Sequence, residues 1–161
     1  MAAYIKLGDI EGESTRKPHE KWIVINSMSA PIHRSVGSGE WGANRARGQT
    51  TLGDIVCVRP MDKSSVKIAE ACASGKFFPE ATIDLCSTIN DKEEIAMQYK
   101  LFDVIVTSHS FHATAEMDPK PSEEITINYS KIEWTYTAYD NQGKSQGKVP
   151  GSFDLKTGGT K

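Results

Sequence analysis

Apolar and polar side chains alternate along two long stretches of this chain, and in each stretch the alternation changes phase once. In residues 95–106 the apolar side chains occupy odd positions up to Leu101 and even positions from Phe102. In residues 125–136 the same change falls near residues 130 and 131. A shift of one residue moves every following apolar side chain to the other face of a sheet, so each change predicts a β-bulge or a strand that crosses between sheets. Long bent strands of this kind are typical of closed or orthogonally packed barrels.

Shorter runs rich in β-branched and aromatic residues predict the remaining strands. They lie near residues 4–7, 22–28, 52–59 and 81–86, with a last short strand at 153–156. The predicted loops between strands are longest at 31–49, 109–122 and 140–150.

One helix is predicted at about residues 64–74. Ile68 and Cys72 would share a face at i and i+4, and Gly75 suits the left-handed position that follows a helix. Side chains suited to capping its start are those of Asp62, Ser64 and Ser65. A helix of about ten residues is marginal alone, so we expect it to dock on the β-structure.

Length and composition predict one domain over residues 1–161, with a flexible tail at about 157–161. The formal net charge of -2 argues against a nucleic-acid partner bound through a basic face. Cys57, Cys72 and Cys86 have apolar neighbours and form no CxxC pair, so we interpret them as free thiols of a protein that folds in a reducing cytoplasm.

The start of the chain has no secretory pattern. Met1 is followed by two alanines and then by a strand, without a basic segment and an apolar core segment, so we predict no signal peptide. No run of 18 apolar residues is present, so we expect no membrane insertion.

The loop at 31–49 contains a pattern that resembles a dinucleotide-binding fingerprint. Gly37, Gly39 and Gly42 have GxGxxG spacing, but the fingerprint requires a helix at the third glycine, and residues 43–49 are polar and lead into another strand. We therefore interpret this segment as a glycine-rich hairpin loop.

No pattern of catalytic or metal-binding residues stands out. His109 and His112 have i, i+3 spacing but fall at a strand end without an evident third ligand, so we interpret them as surface histidines. Glu123 and Glu124 are interpreted as solvated residues at a strand start. No GxSxG elbow is present. The sequence predicts no enzyme, no metal and no cofactor.

Several segments in order along the chain are similar to those of the haemolysin-coregulated protein (Hcp) family, which forms the inner tube of the bacterial type VI secretion system. These segments are 4–14 together with His19, 62–65, 71–78, 102–108 and 125–136. The resemblance implies a compact antiparallel β-barrel of two packed sheets with one flanking helix. Phe153, where relatives often carry tryptophan, departs from the family pattern.

The same resemblance implies a structural function. Members form hexameric rings that stack into a tube, and the tube is ejected with the spike protein and carries effectors in its lumen. The implied partners are further copies of the chain, the spike, the contractile sheath and baseplate proteins, and secreted effectors. The implied location is the bacterial cytoplasm before firing, followed by secretion without a signal peptide.

Two groups of residues are candidates for this function. We expect the 31–49 loop to project and contact a neighbouring subunit or the next ring, because it is long, glycine-rich and placed between two strands. Its candidate contact residues are Val36, Gly37, Gly39, Trp41, Arg45 and Arg47. The candidate lumen-facing residues are Asn26, Ser27 and Ser29, at the polar end of the second strand.

Two other functions are alternatives. One is a monomeric β-barrel that binds a glycan or a protein through Trp41 and nearby loops, which would have the mass of a single subunit. The other is a small hydrolase that uses His109 or His112, whose activity a chelator would abolish.

Overall fold

The computed structural model describes residues 1–36, 39, 41–114 and 120–159, apart from the side chains of residues 44, 46 and 47. In this part of the chain lie the strands β1 (Ala2–Leu7), β2 (Ile23–Ile25), β3 (Ser27–Ser29), β4 (Ile32–Arg34), β5 (Thr50–Leu52), β6 (Ile55–Pro60), β7 (Phe77–Ile89), β8 (Lys92–His112), β9 (Ser122–Asn128), β10 (Lys131–Tyr139) and β11 (Ser145–Asp154), the helix α1 (Ser65–Ser74) and a 3-10 helix (Gly42–Arg47). The prediction of a mainly-β fold with one flanking α-helix is confirmed.

The described residues form two sheets of very unequal size. The large one has the strand order β2-β1-β7-β8-β9-β6-β3, and β10 and β11 extend from β8 as a side arm; the small one is the β4–β5 ribbon. The outer strands β2 and β3 of the main path are consecutive in the chain and separated only by Asn26, whose N–H donates to the Val58 carbonyl at 2.8 Å. The large sheet therefore curls until its two edges meet end to end at one segment.

The predicted phase change in the first long stretch is confirmed, and its cause is Asp103. β8 is one continuous strand in which Leu101 and Val104, three residues apart, both face the core. Asp103 between them has φ of 54°, a backbone conformation that inverts the alternation. The strand paired with this edge of β8 changes at the same place. β10 pairs with β8 up to Phe102, and β9 pairs with β8 from Ile105 onward.

The second phase change coincides with the break between β9 and β10. Ser130 lies in this break, and its N–H donates to the Phe102 carbonyl at 3.0 Å while its hydroxyl donates to Asp103 Oδ2 at 2.5 Å. The Lys156 ammonium also contacts this carboxylate and, with Ser130, lowers the pKa of Asp103. The two phase changes therefore occur at one place, the junction between the side arm and the rest of the sheet.

The helix has the predicted bounds and apolar face. Ile68 and Ala71 are fully buried, and Gly75 has φ of 65°, as expected for the residue that follows a helix. The prediction of capping side chains is only partly correct, because Ser64 is the N-cap residue but makes no side-chain cap hydrogen bond. Instead, the Ser64 N–H donates to Asp62 Oδ1 at 2.8 Å.

The core lies inside the curled sheet. Its fully buried side chains include Ile5, Leu7, Ile23, Ile55, Ile68, Phe78, Ile83, Leu101, Ile125, Ile127 and Ile132.

Cys57, Cys72 and Cys86 are free thiols, as predicted, and burial raises the pKa of Cys57 to about 12. This thiol is therefore inert at neutral pH.

The last strand is longer than predicted and begins earlier. β11 covers Ser145–Asp154 and pairs with β10 along its length, whereas we predicted a loop at 140–150 and a strand only from residue 153. Pro150 is compatible with this position because β11 is an edge strand. The flexible tail remains a prediction, and residues 160 and 161 lie outside the described residues.

Candidate functional site

The predicted contact loop is a two-stranded ribbon. β4 pairs with β5 in antiparallel register, and Arg34 Nη1 donates to the Thr50 hydroxyl at 3.0 Å. Where the connecting loop leaves the ribbon, a Cβ on Gly48 would lie 1.5 Å from the Ser35 carbonyl oxygen, so only glycine allows this close approach. Ser35 and Gln49 join the two sides of the loop at this point, since the Ser35 N–H donates to the Gln49 carbonyl at 3.0 Å.

The end of this ribbon carries exposed apolar side chains. Val36 is 52% exposed and Trp41 is 85% exposed, and Arg45 is also exposed. A 3-10 helix at Gly42–Arg47 corrects our description of residues 43–49 as a polar segment without helix. Gly39 lies in a turn with φ of 85°.

Two of the predicted contact residues are not placed. Gly37 lies outside the described residues, and so does the side chain of Arg47.

The predicted lumen residues are exposed and lie at the meeting edges of the sheet. Ser27 and Ser29 are opposite Val58 and Val56 on β6, so their side chains share one outward face, and Asn26 precedes them. This face continues across β9 and β8 through Thr126, Glu124, Ser108 and Ser110. Apart from Val56 and Val58, its side chains are small or polar, in contrast to the mostly apolar inner face of the same strands.

A buried ionic cluster connects α1 to this part of the sheet. Arg59 and Glu123 are both fully buried and form an ion pair. The second Glu123 oxygen lies 3.0 Å from His109 Nε2, and the Ser65 hydroxyl donates to the first at 3.0 Å. Arg59 also pairs with Asp62, three residues before the first residue of the helix. The cluster thus joins β6, β8, β9 and the start of α1.

The Asp62 carboxyl remains ionised in this partly buried position. Burial raises its pKa, but hydrogen bonds from Ser64 and Arg59 and the charge of Arg59 outweigh burial and hold the pKa below its usual range. The cluster therefore contains one guanidinium and two carboxylates, with His109 as the only neighbouring group among the described contacts that could add a positive charge.

This cluster corrects two interpretations made from the sequence. His109, taken as a surface residue, has a side chain only 7% exposed, and Glu123, taken as solvated, is 0% exposed. The sequence did contain a sign that Arg59 and Glu123 are buried. Arg59 falls on the same face of its strand as the buried Ile55 and Cys57, and Glu123 falls on the same face as the buried Ile125 and Ile127.

A second buried polar group holds the loop that follows β1. His19 Nε2 lies 2.8 Å from Asp84 Oδ2, and Gln98 donates to the other Asp84 oxygen at 2.8 Å. The His19 ring stacks on Tyr4 with 4.5 Å between centroids and meets Trp22 edge to face. His19, isolated in the sequence, is thus the residue that fixes this loop on the outer face of β1 and β7.

The acidic residues of the opening segment form surface ion pairs. Asp9 pairs with Lys76 at 3.2 Å, and Glu11 pairs with Lys21 at 3.1 Å and with Lys63 at 3.4 Å. All of these side chains are substantially exposed, so each pair contributes little to stability.

The described residues contain no group of three or more His, Cys, Asp or Glu side chains that could hold a metal ion. Among the same residues, no helix has the length and apolar character needed to cross a membrane.

Comparisons with known proteins agree on one family. The family model described as "Type VI secretion system effector, Hcp" matches residues 4–136. Protein hcp1 of Pseudomonas aeruginosa is 27% identical over 144 residues, which cover 89% of this chain and 88% of the relative.

Solved structures give the same result. A type six secretion system protein superposes with a TM-score of 0.91 at 30% identity, covering 99% of both chains. Hcp1 from Salmonella typhimurium has the same fold, with a TM-score of 0.79 at 21% identity over 99% of this chain and 98% of that one. The chain therefore belongs to the Hcp family, the tube component of the type VI secretion system.

Proposed function

We propose that six copies of this chain form a ring and that the rings stack into the inner tube of a type VI secretion system. The tube is ejected with the spike, inside the contractile sheath above the baseplate, and carries effectors in its lumen. The chain resides in the bacterial cytoplasm before firing and catalyses no reaction. Family membership supports this proposal, and the surface area of the chain is the structural observation that carries it.

The chain exposes more surface than a compact monomer of its mass. Its accessible surface is 10002 Å² for 17.7 kDa, whereas a monomer of this mass is expected to expose about 7,900 Å². The excess of roughly 2,000 Å² is of the size that a subunit buries in an assembly. A monomeric binding module has no need of this excess, so the alternative is not favoured.

The ribbon is proposed to contact the next ring through Trp41. We expect Trp41→Ala to weaken ring stacking by about 30-fold, because an aromatic side chain at the centre of a contact commonly contributes 2 kcal/mol or more. Rings should remain intact, since the ribbon is separate from the large sheet. Stack lengths in electron micrographs measure the effect.

Val66→Ala is the matched control, since Val66 on α1 is 69% exposed and lies outside the ribbon. Replacing residues 36–47 by a tight turn should weaken stacking further. Stacks of unchanged length after that replacement would contradict a role for the ribbon.

The small polar face that contains Ser27 and Ser29 is proposed to line the lumen, together with Asn26. A Ser29→Trp variant should assemble normally but lose most of its co-purifying effector, because the indole would narrow the space for cargo. The readout is the ratio of a co-expressed effector to ring protein after size-exclusion chromatography.

Ser74→Trp, at an exposed position on α1, controls for the added indole. Equal effector retention by the wild type and by both variants would exclude Ser29 from the lumen.

A further inference from the structure

A row of apolar side chains on the inner face of the large sheet runs out of the core onto the side arm. Residues directly opposite each other in antiparallel strands point to the same face. The row consists of Ile25, Ala3, Leu85, Met97, Tyr136 and Val149, in that order across six strands. Exposure rises along it from 4% at Ile25 to 50% at Tyr136 and 65% at Val149. We call Met97, Tyr136 and Val149 the arm patch.

A second exposed apolar pair lies on the other face of the same sheet. Phe77 is opposite Ile105, and they are 54% and 37% exposed. The next pair along the strands, Phe78 and Val104, is buried in the core. Because neighbouring residues of a strand point to opposite faces, Phe77 and Ile105 point outward. We call these two residues the outer patch.

The two patches lie on opposite faces of the sheet and are far apart along β7. Leu85, which carries the row into the arm, is separated from Phe77 by eight residues, or about 26 Å of extended strand. A two-fold dimer contact requires one self-complementary patch, whereas a ring requires two different patches on each subunit. The positions of the arm and outer patches meet the second requirement.

We propose that the arm patch of one copy packs against the outer patch of the next copy, and that this contact closes the ring. The inference rests on the proposed ring and identifies its subunit contact. A subunit in a ring makes two contacts of about 800 Å² each, which together approach the excess surface of this chain. Tyr136 and Phe77 are aromatic, the residue class enriched at such contacts.

The test uses one charged substitution in each patch. Val149→Asp should disable the arm patch and Phe77→Asp the outer patch, and each is expected to weaken association by about 30-fold or more. Val66→Asp, at an equally exposed site outside both patches, should assemble as the wild type does. Sedimentation velocity at a common protomer concentration gives the masses, and circular dichroism confirms folding.

Mixing the two variants gives the decisive result. The Phe77→Asp copy retains its arm patch and the Val149→Asp copy retains its outer patch, so the mixture should form heterodimers that grow no further. If either charged variant misfolds, Tyr136→Ser and Ile105→Ser serve in its place.

Each other outcome is informative. Variants that form rings as readily as the wild type would overturn the assigned patches and leave the proposed ring intact. Monomeric variants whose mixture forms no heterodimer would overturn the pairing of the two patches. A monomeric wild type would overturn both this inference and the ring.

Discussion

Replacing Glu123 by alanine is expected to lower the free energy of unfolding by about 3–5 kcal/mol, a large fraction of the stability of a domain. The substitution leaves the Arg59 guanidinium buried without its main partner, and it also removes the acceptor for His109 and Ser65. The cost is thus that of an uncompensated buried charge. Urea unfolding followed by tryptophan fluorescence, at one protomer concentration, measures it.

Glu124→Ala is the matched control. Glu124 is the next residue on the same strand but lies on the outer face opposite Val58, so we expect a change within about 0.5 kcal/mol. The double variant Arg59→Met with Glu123→Leu should be more stable than Glu123→Ala, because it leaves no buried charge between those two positions. Equal losses for Glu123→Ala and Glu124→Ala would contradict the importance of the cluster.

Phe78→Ala is expected to destabilise the fold by about 3–5 kcal/mol, since it removes a fully packed aromatic side chain from the core. Phe78 is 2% exposed and also covers the turn after β1, where a Cβ on Gly8 would lie 2.6 Å from its ring. Thermal unfolding by calorimetry measures the loss.

Phe77→Ala is a control of the same residue type on the opposite face. It should change stability by less than about 1 kcal/mol, because Phe77 is already half exposed, yet it should weaken assembly. If both alanine variants lost similar stability, the assignment of inner and outer faces in β7 would be wrong.

The period of the apolar residues predicted the most unusual feature of the fold. The phase change between Leu101 and Phe102 correctly indicated a break in the alternation, which the structure places at Asp103. The same reasoning could have placed Arg59 and Glu123 on the inner face. For Glu123, the preference of charged residues for the surface led to the opposite interpretation, because only the fold shows that its charge meets that of Arg59.

Other features had no periodic signal. His19 lies in a loop, and its position against Asp84 depends on residues 65 positions apart in the chain. β11 contains glycine and proline, which resemble a loop in sequence, and only its pairing with β10 makes it a strand. The arm patch depends on this strand, so no local pattern could have indicated it.

The contact residues of the ribbon remain predictions from the sequence. The exposure of Trp41 is consistent with a role between rings, which the Trp41→Ala variant tests. The Ser29→Trp variant tests the lumen assignment of Asn26, Ser27 and Ser29.

The proposed function requires that this chain forms a ring. The most direct measurement is the mass of the purified wild-type protein by sedimentation equilibrium, combined with negative-stain electron microscopy of the same sample. We predict the mass of six subunits and rings with an open centre. A single-subunit mass over the whole concentration range, with no rings in the micrographs, would contradict it.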